Sequence, residues 1–213
     1  MKAITPPFAI AVDGREKLPY TFEGLRADAK LGRSPLAVRW EWAHLPTGDY
    51  SIIGCEHLVT IERKSKEDLF STLGQHRDRF EKEHVRMMDF DYAAVVIEAS
   101  GWWEIFNAPP DRSRLNPKTI FRTFLAWNQR YLVPWVFAED RRLGEVTTYR
   151  MLERWWYDYQ ARISRSSETC RICGRPLSVH RSTNQGMGPV CAARGDRLLA
   201  QRIKARERKR VRR

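Results

Sequence analysis

Apolar and polar positions fall into short blocks over the first 160 residues, and the blocks predict strands and helices in turn. Phe8-Ala9-Ile10-Ala11-Val12 is a continuous apolar run, as a strand covered on both faces requires, and it delivers Asp13 at its C-terminal end. Leu36-Ala37-Val38-Arg39-Trp40-Glu41-Trp42 alternates and predicts a half-buried strand, followed by a turn in Leu45-Pro46-Thr47-Gly48-Asp49. Residues 50–53 and 58–61 are apolar and β-branched on either side of Gly54, the pattern of a hairpin. Past Lys64 the pattern becomes helical and charged through residues 71–88, and Tyr92-Ala93-Ala94-Val95-Val96-Ile97-Glu98 is a further buried strand. Gly101-Trp102-Trp103-Glu104-Ile105-Phe106 is a short aromatic block that fits a core, with stacking on splayed bases as the alternative. Asn116-Pro117 is a cap followed by proline at the first helical position, and Ile120, Phe124, Trp127 and Tyr131 recur at helical spacing as a packing face. Residues 132–138 predict a last strand that tolerates Pro134 only near an edge, and apolar positions from Val146 to Tyr159 predict a long closing helix. The fold class is α/β, a mixed β-sheet flanked by helices.

Alternation along a strand gives the block Ile61-Glu62-Arg63-Lys64 its chemistry. Glu62 and Lys64 point one way and Arg63 the other. A carboxylate beside an ammonium on a stiff strand suits metal-assisted hydrolysis, the acid holding the cation and the lysine orienting water or steadying developing charge. Mg²⁺ draws on one or two carboxylates plus substrate phosphates, so a second acid is needed. Asp49 lies thirteen residues upstream of Glu62, and a hairpin turning near Gly54 brings the two together. Asp13 is a third metal-site or bracing carboxylate, with Arg15 and Glu16 either touching phosphate or forming an ordinary surface pair. Ser65 and Asp68 form an S-x-x-D arrangement, so Asp68 is equally a helix cap and a supporting catalytic group.

Gly48-Asp49, Glu62-Arg63-Lys64 and Asp68, in this order and spacing, resemble the GD…ERKxxxD signature of XPF-type structure-specific endonucleases, a branch of the PD-(D/E)xK nucleases. Val12-Asp13-Gly14-Arg15-Glu16 resembles that family's VDxRE segment, and residues 92–98 its LLIE strand. The resemblance covers about residues 8 to 137. It implies a restriction-endonuclease-like fold and an endonuclease that uses Mg²⁺ or Mn²⁺ on branched DNA such as a flap or fork. Asp49 and Glu62 would bind the metal, Lys64 would assist the water, and Asp13, Arg63 and Asp68 would support. Arg79 looks like the counterpart of a family arginine beside the scissile phosphate. A non-catalytic DNA-binding adaptor and a sequence-specific restriction-type endonuclease are the alternatives.

Charge separates the C-terminus from this body. Residues 1–160 balance 23 Lys+Arg against 23 Asp+Glu, whereas residues 161–213 hold 15 against 3, so the whole net charge of +12 sits there and points to a polyanion partner, DNA. Arg202 to Arg213 carries eight basic residues, Arg208, Lys209 and Arg210 among them, and fits a phosphate-binding arm. No apolar stretch approaches a membrane span and the N-terminus lacks the apolar run of a signal peptide, so the expected location is intracellular, where four cysteines are not expected to form disulfides. Domain limits of 1–163, 164–195 and 196–213 follow from the composition. Cys170, Cys173 and Cys191 have zinc-ligand spacing, and His180 completes a Cys₃His set for structural Zn²⁺. The stretch resembles small zinc modules appended to phage and bacterial proteins. Gly186-Met187-Gly188-Pro189-Val190-Cys191-Ala192 also resembles the hairpin of a helix-hairpin-helix. XPF-type enzymes often carry two such hairpins; only one fits here, so a homodimer and branch recognition rest on the resemblance alone. Metal analysis of the purified chain is expected to return one zinc per chain, and residues 161–213 that fold fully in strong chelator would overturn the assignment.

Overall fold

The structure, a computed structural model, describes residues 2–163. The zinc set Cys170, Cys173, His180 and Cys191 and the tail residues Arg208, Lys209 and Arg210 lie outside the described residues. The chain divides into two compact units, Met1–Leu152 and Glu153–Arg213, and the first contains the whole sheet.

Six strands form one mixed sheet, as the sequence predicts: β1 (Ala9–Asp13), β2 (Arg39–Ala43), β3 (Tyr50–Ile52), β4 (Val59–Ser65), β5 (Tyr92–Glu98) and β6 (Trp135–Phe137), in the order β2-β1-β3-β4-β5-β6. β3 runs antiparallel to both of its neighbours, while β1–β2, β4–β5 and β5–β6 are parallel. Helices α1 (Lys66–Gln75), α2 (Arg77–Met87), α3 (Trp102–Asn107) and α4 (Pro117–Tyr131) contribute to the core on one face. Val95 and Ile97 of β5 meet Leu69 and Leu73 of α1, Phe80 and Met87 of α2, and Ile120 and Trp127 of α4 there. The other face carries Tyr20 stacked on Tyr50 at 5.0 Å, and Phe8 against Tyr149 of α5 (Arg141–Ile163) at 6.1 Å. No helix among the described residues is long and apolar enough to cross a membrane.

The local signals fare unevenly. The Asn116 side chain caps α4 by accepting from the Lys118 amide, Ile120, Trp127 and Tyr131 are buried as the spacing predicts, and Pro134 stands just before the edge strand β6. Trp102 packs among aromatic rings, as a core residue does, whereas Trp103 beside it is exposed. The helix predicted over residues 71–88 is two helices, broken at His76. Residues 74–79 contain no apolar side chain, so nothing there rewards continuing a single helix, and two shorter ones each lay an apolar face on the sheet. β2 is more exposed than its alternation predicts because it is an edge strand, and Trp42 stands in solvent. Cys55 is buried, which pushes its thiol up to about 11 and leaves it unreactive.

An imidazole sits inside the helical core. His84 is fully buried, its Nδ1 is 2.9 Å from the Phe80 carbonyl oxygen, and the Trp135 indole N–H donates to its Nε2 at 2.8 Å. An indole N–H only donates, so Nε2 carries the lone pair, Nδ1 carries the proton and the ring is neutral. Burial pushes its pKa down to about 4. The unfolded chain therefore takes up this proton first, and the stability that neutral His84 contributes is complete above about pH 6.5 and is lost as pH falls toward 4. Between pH 7 and pH 4.5 the native chain should lose about 2–3 kcal/mol more in urea unfolding than the His84→Leu variant, whose pH profile lacks this component.

Candidate active site

Tyr50 pairs with Ile61 across β3 and β4, which sets Asp49 opposite Glu62. The Asp49 amide donates to the Ile61 carbonyl at 2.9 Å, and the Asp49 carboxylate returns the contact by accepting from the Arg63 amide through Oδ2 at 2.7 Å. Gly48 makes this approach possible: its φ is +78°, and a Cβ there would stand 2.0 Å from Thr60 Oγ1 and 3.2 Å from the Ile61 carbonyl oxygen. The Thr60 hydroxyl donates to the Thr47 carbonyl at 2.7 Å and straps the turn to β4.

Alternation along β4 turns Glu62 and Lys64 to one side. Lys64 Nζ lies 2.7 Å from Glu62 Oε1, 2.9 Å from Asp68 Oδ2 and 5.1 Å from the centre of the Phe80 ring. The Asp68 amide donates to Ser65 Oγ, which caps the start of α1, while the Asp68 carboxylate meets Lys64 and the Thr72 hydroxyl and caps no amide. Arg63 faces the other way. Its guanidinium grips both Glu98 oxygens at 2.7 and 2.8 Å, with Glu16 at 3.5 Å and the Tyr20 hydroxyl donating to the same Glu98. Arg63 thus ties β4 to β5, away from the carboxylate pair.

Asp13 is buried with both oxygens committed. Oδ1 accepts from the Arg15 amide and Nε, and Oδ2 from Arg15 Nη2 and the Leu45 amide, which holds its carboxyl below the usual range despite burial. Of the two roles open to it, the geometry gives the bracing one: the Asp13 amide also donates to the Asp49 carbonyl at 2.9 Å. Arg15 spends its guanidinium on Asp13 and the Leu45 carbonyl. Arg79 is exposed on α2, without an ion pair or hydrogen bond among the described residues. Glu83, also on α2, is a contributor that the sequence does not signal. It accepts from Thr47 Oγ1 at 3.2 Å and the Gly48 amide at 3.4 Å, and its charge acts on both Asp49 and Glu62.

Burial raises the pKa of Asp49 to about 7 and that of Glu62 well above its ordinary value, and for Glu62 the Asp49 charge is the next cause. Burial alone would lower Lys64, but Glu62, Asp68 and Asp49 outweigh it and hold the ammonium protonated. Near neutral pH the two carboxylates behave as one unit that retains a proton. Asp49 Oδ1 and Glu62 Oε2 have no hydrogen-bond partner among the described residues. Two acids set opposite each other with a spare oxygen each, and an ammonium beside Glu62, fit a divalent cation. No group of three or more His, Cys, Asp or Glu suited to a metal occurs among the described residues, so phosphate and water would complete the coordination, as Mg²⁺ commonly arranges.

Residues 162–194 match the model of a family of unknown function, DUF6011. No curated protein matches the chain. Among solved structures the chain is similar to XPF from Aeropyrum pernix, at 20% identity over 68% of this chain and 60% of that one with a TM-score of 0.49. It is also similar to XPF from Aeropyrum pernix in complex with DNA, at 19% identity over 70% and 65% of the two chains with a TM-score of 0.48. In both comparisons the chain spans less than two thirds of the other protein's length.

The raised pKa of Asp49 has a stability consequence in metal-free protein. The favourable contribution of its retained proton is present at low pH and is lost as pH rises through about 7. Asp49→Asn should therefore raise the melting temperature of metal-free protein at pH 8 by roughly 5–10 °C, the shift that about 2–4 kcal/mol gives in a chain of this size. Near pH 3.5, where the unfolded carboxyl is protonated as well, the native and variant curves should nearly coincide in differential scanning calorimetry.

Proposed function

We propose that the chain is a metal-dependent endonuclease that hydrolyses phosphodiester bonds in branched DNA. The observation that carries this is the Asp49–Glu62 pair, held opposite each other with spare oxygens and a protonated Lys64 alongside. Asp49 and Glu62 would hold Mg²⁺ or Mn²⁺, which when bound supplies Lewis acidity and a more acidic water. Lys64 cannot take a proton because its carboxylate neighbours keep it charged. Its part is to orient the water and stabilise negative charge as it develops on the phosphate. Asp68 and Phe80 fix where that ammonium stands, and Asp13, Thr60 and Glu83 fix the turn that presents Asp49.

The sequence resemblance supports a junction substrate such as a flap or fork. The Cys170, Cys173, His180, Cys191 set would supply a structural zinc, and Arg208, Lys209 and Arg210 would add phosphate contacts from the tail.

Labelled flap, fork, plain duplex and single-stranded DNA in Mg²⁺ or Mn²⁺ test this. The native chain should cut at the junction in unrelated sequences, while Asp49→Asn, Glu62→Gln and Lys64→Ala each lose roughly a thousandfold in rate, the several kcal/mol expected of metal and charge stabilisation. A native chain that binds these DNAs and cuts none in either metal is an adaptor, and the proposal fails.

A further inference from the structure

We propose that the groove between α1 and residues 110–115 seats the backbone of a single nucleic-acid strand and leads it to the Asp49–Glu62 pair. The identity of the polymer rests on the endonuclease reading; the groove stands on its own geometry. Its volume is about 760 Å³, its first wall is the stripe from Glu67 to Gln75 on α1, and its second is the turn carrying Arg112 and Arg114. A cleft of this size suits a small ligand or a strand and is too small for a duplex.

Three features select the occupant. Arg112 and Arg114 are exposed and have no ion pair or hydrogen bond among the described residues, so two guanidiniums stand free on one wall, with Ser113 between them. The turn that presents them is fixed, because the Ser113 amide donates to the Pro110 carbonyl at 2.9 Å and the Leu115 amide to Ser113 Oγ at 3.2 Å. Free guanidiniums on a fixed turn are made for phosphate oxygens.

The second feature is Gly74. Its backbone is not left-handed, and a Cβ there would meet only Leu115 Cβ at 3.9 Å, so neither strain nor a clash demands glycine. Glycine in a helix costs about 1 kcal/mol relative to alanine. What its absent side chain does is leave a space of about one methyl group on α1 beside Leu115, within the lining of the groove.

The third feature is where the groove ends. Glu67 lines it and shares the first turn of α1 with Asp68, whose Oδ2 is 2.9 Å from Lys64 Nζ. From Glu67 to Gln75 the helix rises about 12 Å, a span of about three or four nucleotides at the ~3.4 Å rise of a duplex strand. The lining of the groove thus ends one residue before Asp68, the ion-pair partner of Lys64.

Fluorescence anisotropy of the full chain with a labelled oligothymidine strand tests the groove, with Ca²⁺ in place of Mg²⁺ or Mn²⁺ and salt varied. The Arg112→Ala/Arg114→Ala double variant should bind about tenfold more weakly, and its log-log salt slope should be shallower by about 1.4, two contacts at ~0.7 each. Gly74→Leu should also weaken strand binding, with a melting temperature equal to or above native. A blunt duplex should bind both variants as it binds the native chain. Native affinity and slope for the strand in both variants overturn the inference, and so do equal losses on strand and duplex. Junction cutting that persists while the variants bind as native removes the groove alone; the predicted losses in a chain that cuts no DNA remove the nuclease reading and leave the groove.

Discussion

Two like charges can share a buried site only if something rigid holds them there, and here the rigid element is the pairing of β3 with β4. The Tyr50–Ile61 register sets Asp49 against Glu62, and the amide of Arg63 fixes one Asp49 oxygen. Gly48 allows a closeness that a side chain at that position would forbid. The surrounding polar groups serve this pairing. Asp13 holds the Asp49 backbone, Thr60 and Glu83 hold the turn before it, and Lys64 supplies the nearby positive charge. Burial and the nearby Asp49 charge both oppose ionisation of Glu62, so ionising the two acids together strains the site.

A strand that alternates faces can serve two ends with consecutive residues. Glu62 and Lys64 go to the side where α1 and α2 pack, while Arg63, between them in sequence, joins Glu98, Glu16 and Tyr20 on the other. The partly buried guanidinium has both ends of a carboxylate in its fork, which anchors β4 to its neighbour and stiffens the strand that carries Glu62 and Lys64.

Much of this was legible in the sequence because it is local. The apolar run ending at Asp13, the Gly54 hairpin, the strand of residues 92–98 and the Asn116-Pro117 start depend on neighbours within a few residues, and the structure places each where the pattern does. Asp49 and Glu62 belong to this class, since one hairpin brings them together. What stayed hidden depends on distant packing. Glu83 looks like any other acid of a charged helix until α2 docks beside Thr47 and Gly48. The pairing of Asp13 with Arg15 and Leu45, which removes it from the spare-oxygen set, needs the loop before Gly48 in place. The exposure of β2 reflects sheet order, on which local periodicity is silent, whereas the break at His76 falls in residues 74–79, whose lack of apolar side chains is visible in the sequence.

The closeness of Asp49 and Glu62 in sequence also bears on the order of folding. Their hairpin closes a loop of thirteen residues, an event on the scale of about 1–10 μs, whereas the Arg63–Glu98 and Tyr20–Glu98 contacts span 35 and 78 residues and form later because longer closures carry a larger entropic cost. The two acids therefore meet while water still surrounds and screens them. Their repulsion grows only as the helices arrive and exclude that water, so it burdens the last stage of assembly and spares the first.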